Sequence, residues 1–443
     1  MRVTTILLAA ALMITGCSGS ADPGPRPEPG VLTVGVGAPK APPPRDRMIA
    51  NALYTPLIDH DPATGRITPR AAESVTSTDQ VTWTIKLRPG QYHDGSKVTA
   101  GSYVEAWAQI KGDKPVKYKN AVPVDDSTIQ LVMERPASYV PAFLASVWSL
   151  PVRSDKPLDG NGPFKFETPW DEKKGGRLVR VNQVGAKAQR IELKVYPDLA
   201  VAFDEVKAGK LDVVVDFPGS RHASMHQDFA GRNAVWPKPD ASYLLFGPDV
   251  PDPVARYAIA MSIDRKAAAE GPLDNQYDPA TRLYPPATAP GERSGTCRAC
   301  NFDPAAAKTL RTQAEFAAAR FTDGGDAELK AVTEQVQANL GLKTGSGPTV
   351  RIFTAYGDID SPHELFEGLD LPSVRPFIDA AAASGDPVAQ AENYRLVENE
   401  VLRELHMVPL WTKHGHAVWA ERVRDVTATA AHDVDLTAIT LAS

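Results

Sequence analysis

The 443-residue chain carries 48 Lys and Arg against 54 Asp and Glu, a mildly acidic balance with no dense basic block, which argues against nucleic acid as its main partner. Its length beyond the N-terminal leader, about 410 residues, suits two or three domains. With only 3 cysteines, it is not a disulfide-dense scaffold.

The chain opens MRVTTILLAAALMITGCSGS. Arg2 and the free amine give a positive start, and Val3 to Thr15 form an uncharged, mostly apolar run. That run, about 13 residues, is too short for a bilayer span of about 20 but suits a signal h-region. It ends in Ile14-Thr15-Gly16-Cys17, which resembles the bacterial lipobox: small residues let a peptidase approach, and the thiol accepts the lipid. Residues 1–16 are therefore expected to be a lipoprotein signal peptide and Cys17 the lipidation site, with an ordinary cleaved signal as the alternative. The mature chain would be tethered to the outer face of the cytoplasmic membrane. Residues 17–30, rich in Pro, Gly and Ser, read as a flexible tether that cannot bury a core.

Val31 to Val36 alternate and are rich in β-branched residues, which predicts a strand. IANALYTPLI (49–58) reads as a short helix running into an apolar stretch, and Val81, Trp83, Ile85 and Leu87 mark a strand with one buried face. The next stretch, QYHDGSKVTAGSYVEAW, places His93 beside Asp94, the spelling of a catalytic or metal-binding pair. Turn chemistry accounts for it without a catalytic partner: Pro89-Gly90 and Asp94-Gly95 are turns, and Thr99 is placed to cap a helix with Ser102 three residues on. Tyr103, Val104, Trp107 and Ile110 then give that helix an apolar face.

Strands are predicted at 127–133, 164–167, 177–182 and 190–196, followed by a helix over 199–209 that stops at Gly209 and a buried strand at 211–215. That strand–helix–strand rhythm points to a βαβ unit in a mixed α/β domain. The second half is more helical. Helices are predicted over 254–271, over 303–319 behind an Asp N-cap and Pro, over 328–342 and over 387–406, with a strand at PTVRIFTAYG between the last two. Cys297 and Cys300, three residues apart in an exported chain, are expected to form a local disulfide. A zinc site would need a second Cys or His pair at suitable spacing, and a thioredoxin-like reading lacks its strand–CxxC–helix setting.

The order of these pieces resembles the family 5 extracellular solute-binding proteins, the peptide- and nickel-binding subunits of bacterial ABC importers. The resemblance is carried by ALYTPLIDHDPATGRITPRAAESV, WTIKLRPGQYHDGSKVTAGSYVEAW, GNGPFKFE, VAFDEVKAGKLDVVVD, VARYAIAMSIDR, FDPAAAKTL and VENEVLRELHMVPLW, in the family's order over roughly residues 31–425. It implies an α/β, two-lobed periplasmic-binding-protein-like (type II) fold with an extra inserted domain. Lobe I would take 31–50, 160–240 and 415–443, the inserted subdomain 51–159, and lobe II 241–414, with crossings near PKPDASYLLF and PLWTKHGHAVW. The chain departs from the family where the stretch between Trp148 and Asn161 is compressed, where the region after Leu369 is trimmed, and where GAPKAPPPRDR lacks the usual L-D-P.

In the peptide-binding branch an Asp in A-D-Y-x-x-P pairs with the ligand's α-ammonium; Asp358, in Gly357-Asp358-Ile359-Asp360-Ser361-Pro362, is the matching position, with Ile359 replacing the usual Tyr and Tyr356 preceding the motif. An Asx-turn between strand and helix would use the same residues. Trp411 and Tyr243, at the crossings, are candidate stacking partners for ligand, with core packing as the other reading; Arg351 reads as an outward-facing strand residue. His222 and His226, at i and i+4, lack the Glu of H-E-x-x-H and read as a surface pair, and His414-Gly-His416 is similarly weak. The loop Ser384-Gly385-Asp386-Pro387 lacks the histidine of the nickel branch. The resemblance thus implies a monomeric, non-enzymatic subunit that captures peptide-like solutes for ABC permease subunits and uses no cofactor, metal or nucleic acid. Alternatives are a surface sensor without transport, a nickel or metal-chelate binder, and an exported hydrolase; the last lacks both G-x-S-x-G and H-E-x-x-H.

Overall fold

The computed structural model describes residue 28 and residues 30–442, apart from 39–40, 63, 111–114, 182–186, 248–249, 251, 289–296, 315–319, 323–326, 341–348, 356 and 370. Cys17 with its lipobox and Tyr356 lie outside the described residues, as does most of the 17–30 segment.

A ten-stranded sheet runs through the molecule. Its order is Phe164–Asp171, Gly175–Arg180, Arg190–Val195, Val31–Val36, Val213–Val215, Met407–Trp419, Asn233–Phe246, Thr349–Ala355 and Arg320–Thr322, with Tyr277–Pro279 added beside Met407–Trp419. Val31–Val36 is buried along its whole length because it lies parallel between Arg190–Val195 and Val213–Val215. The helix Leu199–Lys207 makes the crossover between those two neighbours, capped by Asp198 and followed by Gly209 at φ 70°. The predicted βαβ rhythm is therefore present, with the first strand of the fold inserted between its two strands.

Around this sheet the buried apolar side chains fall into separate groups. One gathers Leu32, Val34, Ile49, Phe164, Ile191 and Trp236. A second gathers Tyr243, Ile259, Val336, Ile352, Val397 and Trp411. A third lies under a four-stranded sheet, Ala72–Thr76, Thr82–Leu87, Thr128–Met133 and Tyr118–Asp125, and includes Trp83, Trp107, Leu131 and Phe143.

Local chemistry explains most element boundaries. Thr99 and Ser102 form a reciprocal capping box at the start of Ala100–Ala108. His93 and Asp94 serve geometry. His93 Nε2 lies 3.0 Å from the Gly162 carbonyl, and Asp94 Oδ1 accepts the Ser96 backbone N–H at 3.0 Å inside the turn. Bonds from Ser96 and the Lys156 and Arg153 cations hold the Asp94 carboxyl well below the usual carboxylate range. The nearby Gly-Asn-Gly run fits under the end of the Arg47–Leu53 helix. Gly162 N–H donates to the Leu53 carbonyl at 2.8 Å, and a Cβ on Gly160 would stand 1.9 Å from that same oxygen.

Two departures from the sequence reading have a local physical cause. The single helix expected over 254–271 is two, Pro253–Met261 and Arg265–Glu270. The Ser262 hydroxyl donates back to the Ile259 carbonyl at 2.6 Å, and Asp264 accepts the Ala267 N–H at 2.9 Å, so one helix is closed and another opened within three residues. Strand Tyr118–Asp125 was not legible because its face is polar and it contains Pro123; as an edge strand paired only with Thr128–Met133, it tolerates both.

Candidate ligand-binding site

The two halves of the large sheet are joined where Asn233–Phe246 and Met407–Trp419 run antiparallel. Pairing breaks register between Pro237 and Ala241, where Pro237 and Pro239 have no N–H to give to a ladder. Beside this irregular crossing lies a cavity of about 490 Å³, lined by Tyr243, Tyr284, Phe353, Ile359, Glu364 and Met407 among others. Its walls are mainly apolar and aromatic, with few polar groups to orient a ligand, as small-molecule and peptide-side-chain sites commonly are.

Loop 357–361, between the Thr349–Ala355 strand and the Pro362–Glu367 helix, supplies the polar edge. Ser361-Pro362-His363-Glu364 has the spelling of a capping box, but the chain uses it differently. Ser361 accepts the His363 N–H at 3.2 Å, while Glu364 turns back and accepts the N–H groups of Asp358 and Ile359, each at 3.1 Å. Burial pushes the Glu364 carboxyl up to about 7, against the opposing effect of those two bonds. Asp358 Oδ1 accepts the Trp148 indole N–H at 3.0 Å; burial raises this carboxyl as well, and the Trp148 bond lowers it.

A cation reaches the same loop from the first helix. Arg47 donates from Nη2 to the Gly357 carbonyl at 2.6 Å and from Nη1 to Asp360 at 3.3 Å, and it also bonds the Ala430 carbonyl. The Arg45 guanidinium stacks on Trp148, 4.6 Å from the ring centroid. Asp358 therefore stands where three separately cored parts of the chain meet.

Of the residues singled out from sequence, Tyr243 lines the cavity; its ring lies 5.6 Å from Phe353 while its hydroxyl donates to the Leu283 carbonyl. Asp358 is flanked by cavity-lining Gly357 and Ile359. Trp411 is not among the lining residues: it is fully buried and its indole N–H donates to the Arg265 carbonyl at 2.8 Å. Arg351 is exposed on its strand. Cys297 and Cys300 are joined by a disulfide with a Cα–Cα distance of 5.2 Å.

The histidines regroup. His226 is exposed, and His222 meets His414 and His416 instead. Burial lowers the pKa of His222 and takes that of His416 down to about 4.

Sequence reasoning missed Glu364, Tyr284 and Phe353. Glu364 carried a signal, its spacing from Ser361, but that spacing reads first as a cap. Tyr284 sits in a loop and Phe353 in a strand, and neither position distinguishes a cavity wall from core.

Two lobes, a doubled crossing and a cavity beside it define a solute-binding protein architecture. Residues 66–352, more than half of the chain, match the family described as bacterial extracellular solute-binding proteins, family 5 middle, and the chain belongs to that family. It is 25% identical over 272 residues to the periplasmic murein peptide-binding protein MppA of Escherichia coli K12, a match covering 51% of this chain and 50% of the relative. A putative binding protein of Haemophilus influenzae is 24% identical over 141 residues, covering 26% of this chain and 27% of the relative. The chain thus spans about half the length, or less, of these curated relatives in the matches.

Solved structures agree on the fold over nearly the whole chain. The E. coli murein tripeptide binding protein MppA superposes with TM-score 0.73 at 17% identity, covering 93% of this chain and 98% of that one. DppA of Helicobacter pylori, in complex with the peptide STSA, gives 0.74 at 16% identity, covering 93% and 98%. OppA of Haemophilus influenzae, in complex with RPPGFSPFR, gives 0.72 at 16% identity, covering 95% and 100%. The family is one of extracellular solute-binding proteins, and these neighbours share its fold. Among the described residues no helix is long and apolar enough to cross a membrane.

Proposed function

We propose that the protein is the lipid-anchored extracellular solute-binding subunit of an ABC importer, capturing peptide-like ligands between its lobes and delivering them to the permease. The observation that carries this reading is the pairing of the half-buried carboxyls of Asp358 and Glu364 with an aromatic cavity at the junction of the parts. A carboxylate and an ammonium attract strongly where water is excluded, and the pair repays its desolvation when geometry and further hydrogen bonds are good. Asp358 is the proposed partner of a peptide's α-amino group, Tyr243 a wall for its side chains, and Trp411 a support that holds the crossing strand behind them. The peptide-binding relatives support the ligand class, and the leader with Cys17 supports anchoring.

The separate cores support dividing the chain into lobe I at 31–50, 160–240 and 415–443, an inserted subdomain at 51–159, and lobe II at 241–414. Closure of the lobes would exclude water and strengthen each polar contact to the ligand. Native mass spectrometry of the freshly purified protein tests the reading: a co-purifying peptide that leaves on unfolding is the expected result. A protein that carries no peptide and binds none from a defined di- to nonapeptide mixture overturns it.

A further inference from the structure

His414 and His416 alternate along the Met407–Trp419 strand and so project to the same face, while His222 opens the His222–Asp228 helix. Ring centroids lie 4.6 Å apart for His222 and His416, 5.7 Å for His222 and His414, and 5.9 Å for His414 and His416. One ring nitrogen from each falls within 4.8 Å of the other two. None of the three lines the cavity described above.

The bonding around these rings is incomplete in an informative way. His416 is fully buried, and its Nε2 lies 2.5 Å from the Phe217 carbonyl. A carbonyl only accepts, so Nε2 carries the hydrogen and Nδ1 is left as the lone-pair nitrogen. Among the described residues His416 Nδ1 has no hydrogen-bond partner, and neither has the buried Nε2 of His222. Burying an imidazole lone pair without a partner is unfavourable, and groups of this kind in a native structure call for an occupant. His414 Nδ1, buried and likewise without a hydrogen-bond partner, lies 3.3 Å from Asp278 Oδ2. The Phe217 carbonyl behind His416 is the kind of outer partner that a metal-ligating histidine commonly has, and the Asp278 carboxylate stands beside His414.

We propose that His222, His414 and His416 form a binding site for a divalent transition-metal ion with a preference for imidazole, with its fourth position open to water. Zinc is the reference ion, and nickel, cobalt and copper share the ligand chemistry. Metal–nitrogen bonds of about 2.0–2.1 Å in a tetrahedron require nitrogens about 3.3 Å apart, so the rings draw together slightly on binding. His222, half-buried at the start of a short helix, is the least buried of the three ligands.

The location gives the ion a consequence. His414 pairs with Pro237 in the crossing, Asp278 lies on the Tyr277–Pro279 strand beside it, and His222 arrives from the segment after Val213–Val215. An ion here ties the crossing strand Met407–Trp419 to the helix His222–Asp228, at a place separate from the solute cavity.

Purified protein stripped with a chelator and titrated with Co²⁺ should bind one equivalent and develop the d–d absorption of a tetrahedral nitrogen-rich site, which Zn²⁺ then displaces. His222→Ala, also checked for folding by circular dichroism, should lower affinity by at least about 10-fold, the smaller end of the loss seen when even an outer partner of such a site is removed. His226→Ala should leave affinity unchanged. His414→Gln provides a second variant, checked for folding by circular dichroism. Failure of the native protein to bind one equivalent, or parent affinity in both folded variants, overturns the proposal. Peptide binding measured on the same stripped samples reports on the solute cavity alone.

Discussion

Glu364 accepts the backbone N–H of Asp358 at 3.1 Å, so the carboxyl proposed to meet the ligand is held in place by another carboxyl that is itself partly desolvated. The loop conformation is thereby set from within the lobe, while Trp148 and Arg47 reach it from outside. Asp358→Asn keeps an oxygen for the Trp148 indole and removes the charge. It should weaken binding of peptides with a free α-amino group by at least about 10-fold, the lower end of what a charge-assisted hydrogen bond contributes. Thermal shift checks it: a ligand at 100 times its Kd adds about 2.7 kcal/mol to the parent, and that shift should shrink in the variant. An unchanged shift removes Asp358 from the site.

The Glu364 carboxyl, lifted from its ordinary 4.5 to about 7, makes a second expectation. Its folded pKa is above its unfolded one, so the folded protein holds the extra proton between those values. This contribution is fully present below pH about 4.5 and is lost as pH rises through about 7. Within that window Glu364 should cost up to about 1.4 kcal/mol of stability per pH unit as pH rises. Urea unfolding of the parent and Glu364→Gln at several pH values between 4.5 and 7 should show the slope reduced in the variant.

These two carboxyls mark the limit of what sequence offered. Asp358 could be named because a motif surrounds it; the aromatic wall could not, because Tyr284 and Phe353 look like any loop or strand aromatic until the chain is folded. Patterns between near neighbours in the chain were readable, from the Thr99–Ser102 capping box to the alternation of Trp83, Ile85 and Leu87. Contacts made at long range were not. Arg47 bonds Gly357, and His222 meets His416 rather than His226, because the crossing strands bring distant segments together. The break at Ser262–Asp264 was lost for the opposite reason: both side chains are compatible with a helix, and only their local bonds end it.

His363 should act against Glu364. Its ring stacks on Tyr139 with centroids 3.9 Å apart, its Nδ1 lies 3.2 Å from the Tyr394 hydroxyl, and burial takes its pKa from 6.5 down to about 3. Arg135 and Arg375 also disfavour its charged form, although Glu367 approaches its Nε2 at 3.4 Å. A depressed histidine is protonated more readily when unfolded, so its contribution is complete above pH about 6.5 and falls as pH drops toward about 3. His363→Gln should flatten the acid limb of the stability–pH curve, measured by thermal melts at pH 6.5 and below.

Gly160 should tolerate no side chain. A Cβ there would lie 1.9 Å from the Leu53 carbonyl oxygen, which the Gly162 N–H also approaches at 2.8 Å. The backbone cannot yield without moving the end of the Arg47–Leu53 helix, which carries Arg47 toward loop 357–361. Gly160→Ala should therefore destabilise by about 1–3 kcal/mol, the usual range for overpacking, and lower the melting temperature. Gly95→Ala, at φ 86° but with open space around its Cβ, separates backbone strain from steric overlap and should cost less.

Asp212 carries the last expectation. Its side chain is fully buried, receives Nε and Nη2 of Arg422 at 2.7 Å each, and accepts the Thr33 N–H at 2.8 Å and hydroxyl at 2.9 Å. Both carboxylate oxygens are engaged, Oδ1 by Arg422 Nε and Oδ2 by Arg422 Nη2 and the two Thr33 donors, and such hydrogen bonding is what lets a buried ion pair offset its desolvation. Arg422 in turn donates to the Val31 carbonyl at 2.7 Å, so the pair ties the first strand of the fold to its C-terminal segment. Removing only the acid leaves a partly buried guanidinium and an unsatisfied Thr33. Asp212→Ala should cost about 3–5 kcal/mol, whereas Asp212→Ala with Arg422→Met should recover part of that loss. Chemical denaturation of the single and double variants measures both, and a double variant no more stable than Asp212→Ala would place the cost in Thr33 and the strand junction instead of in the unpaired charge.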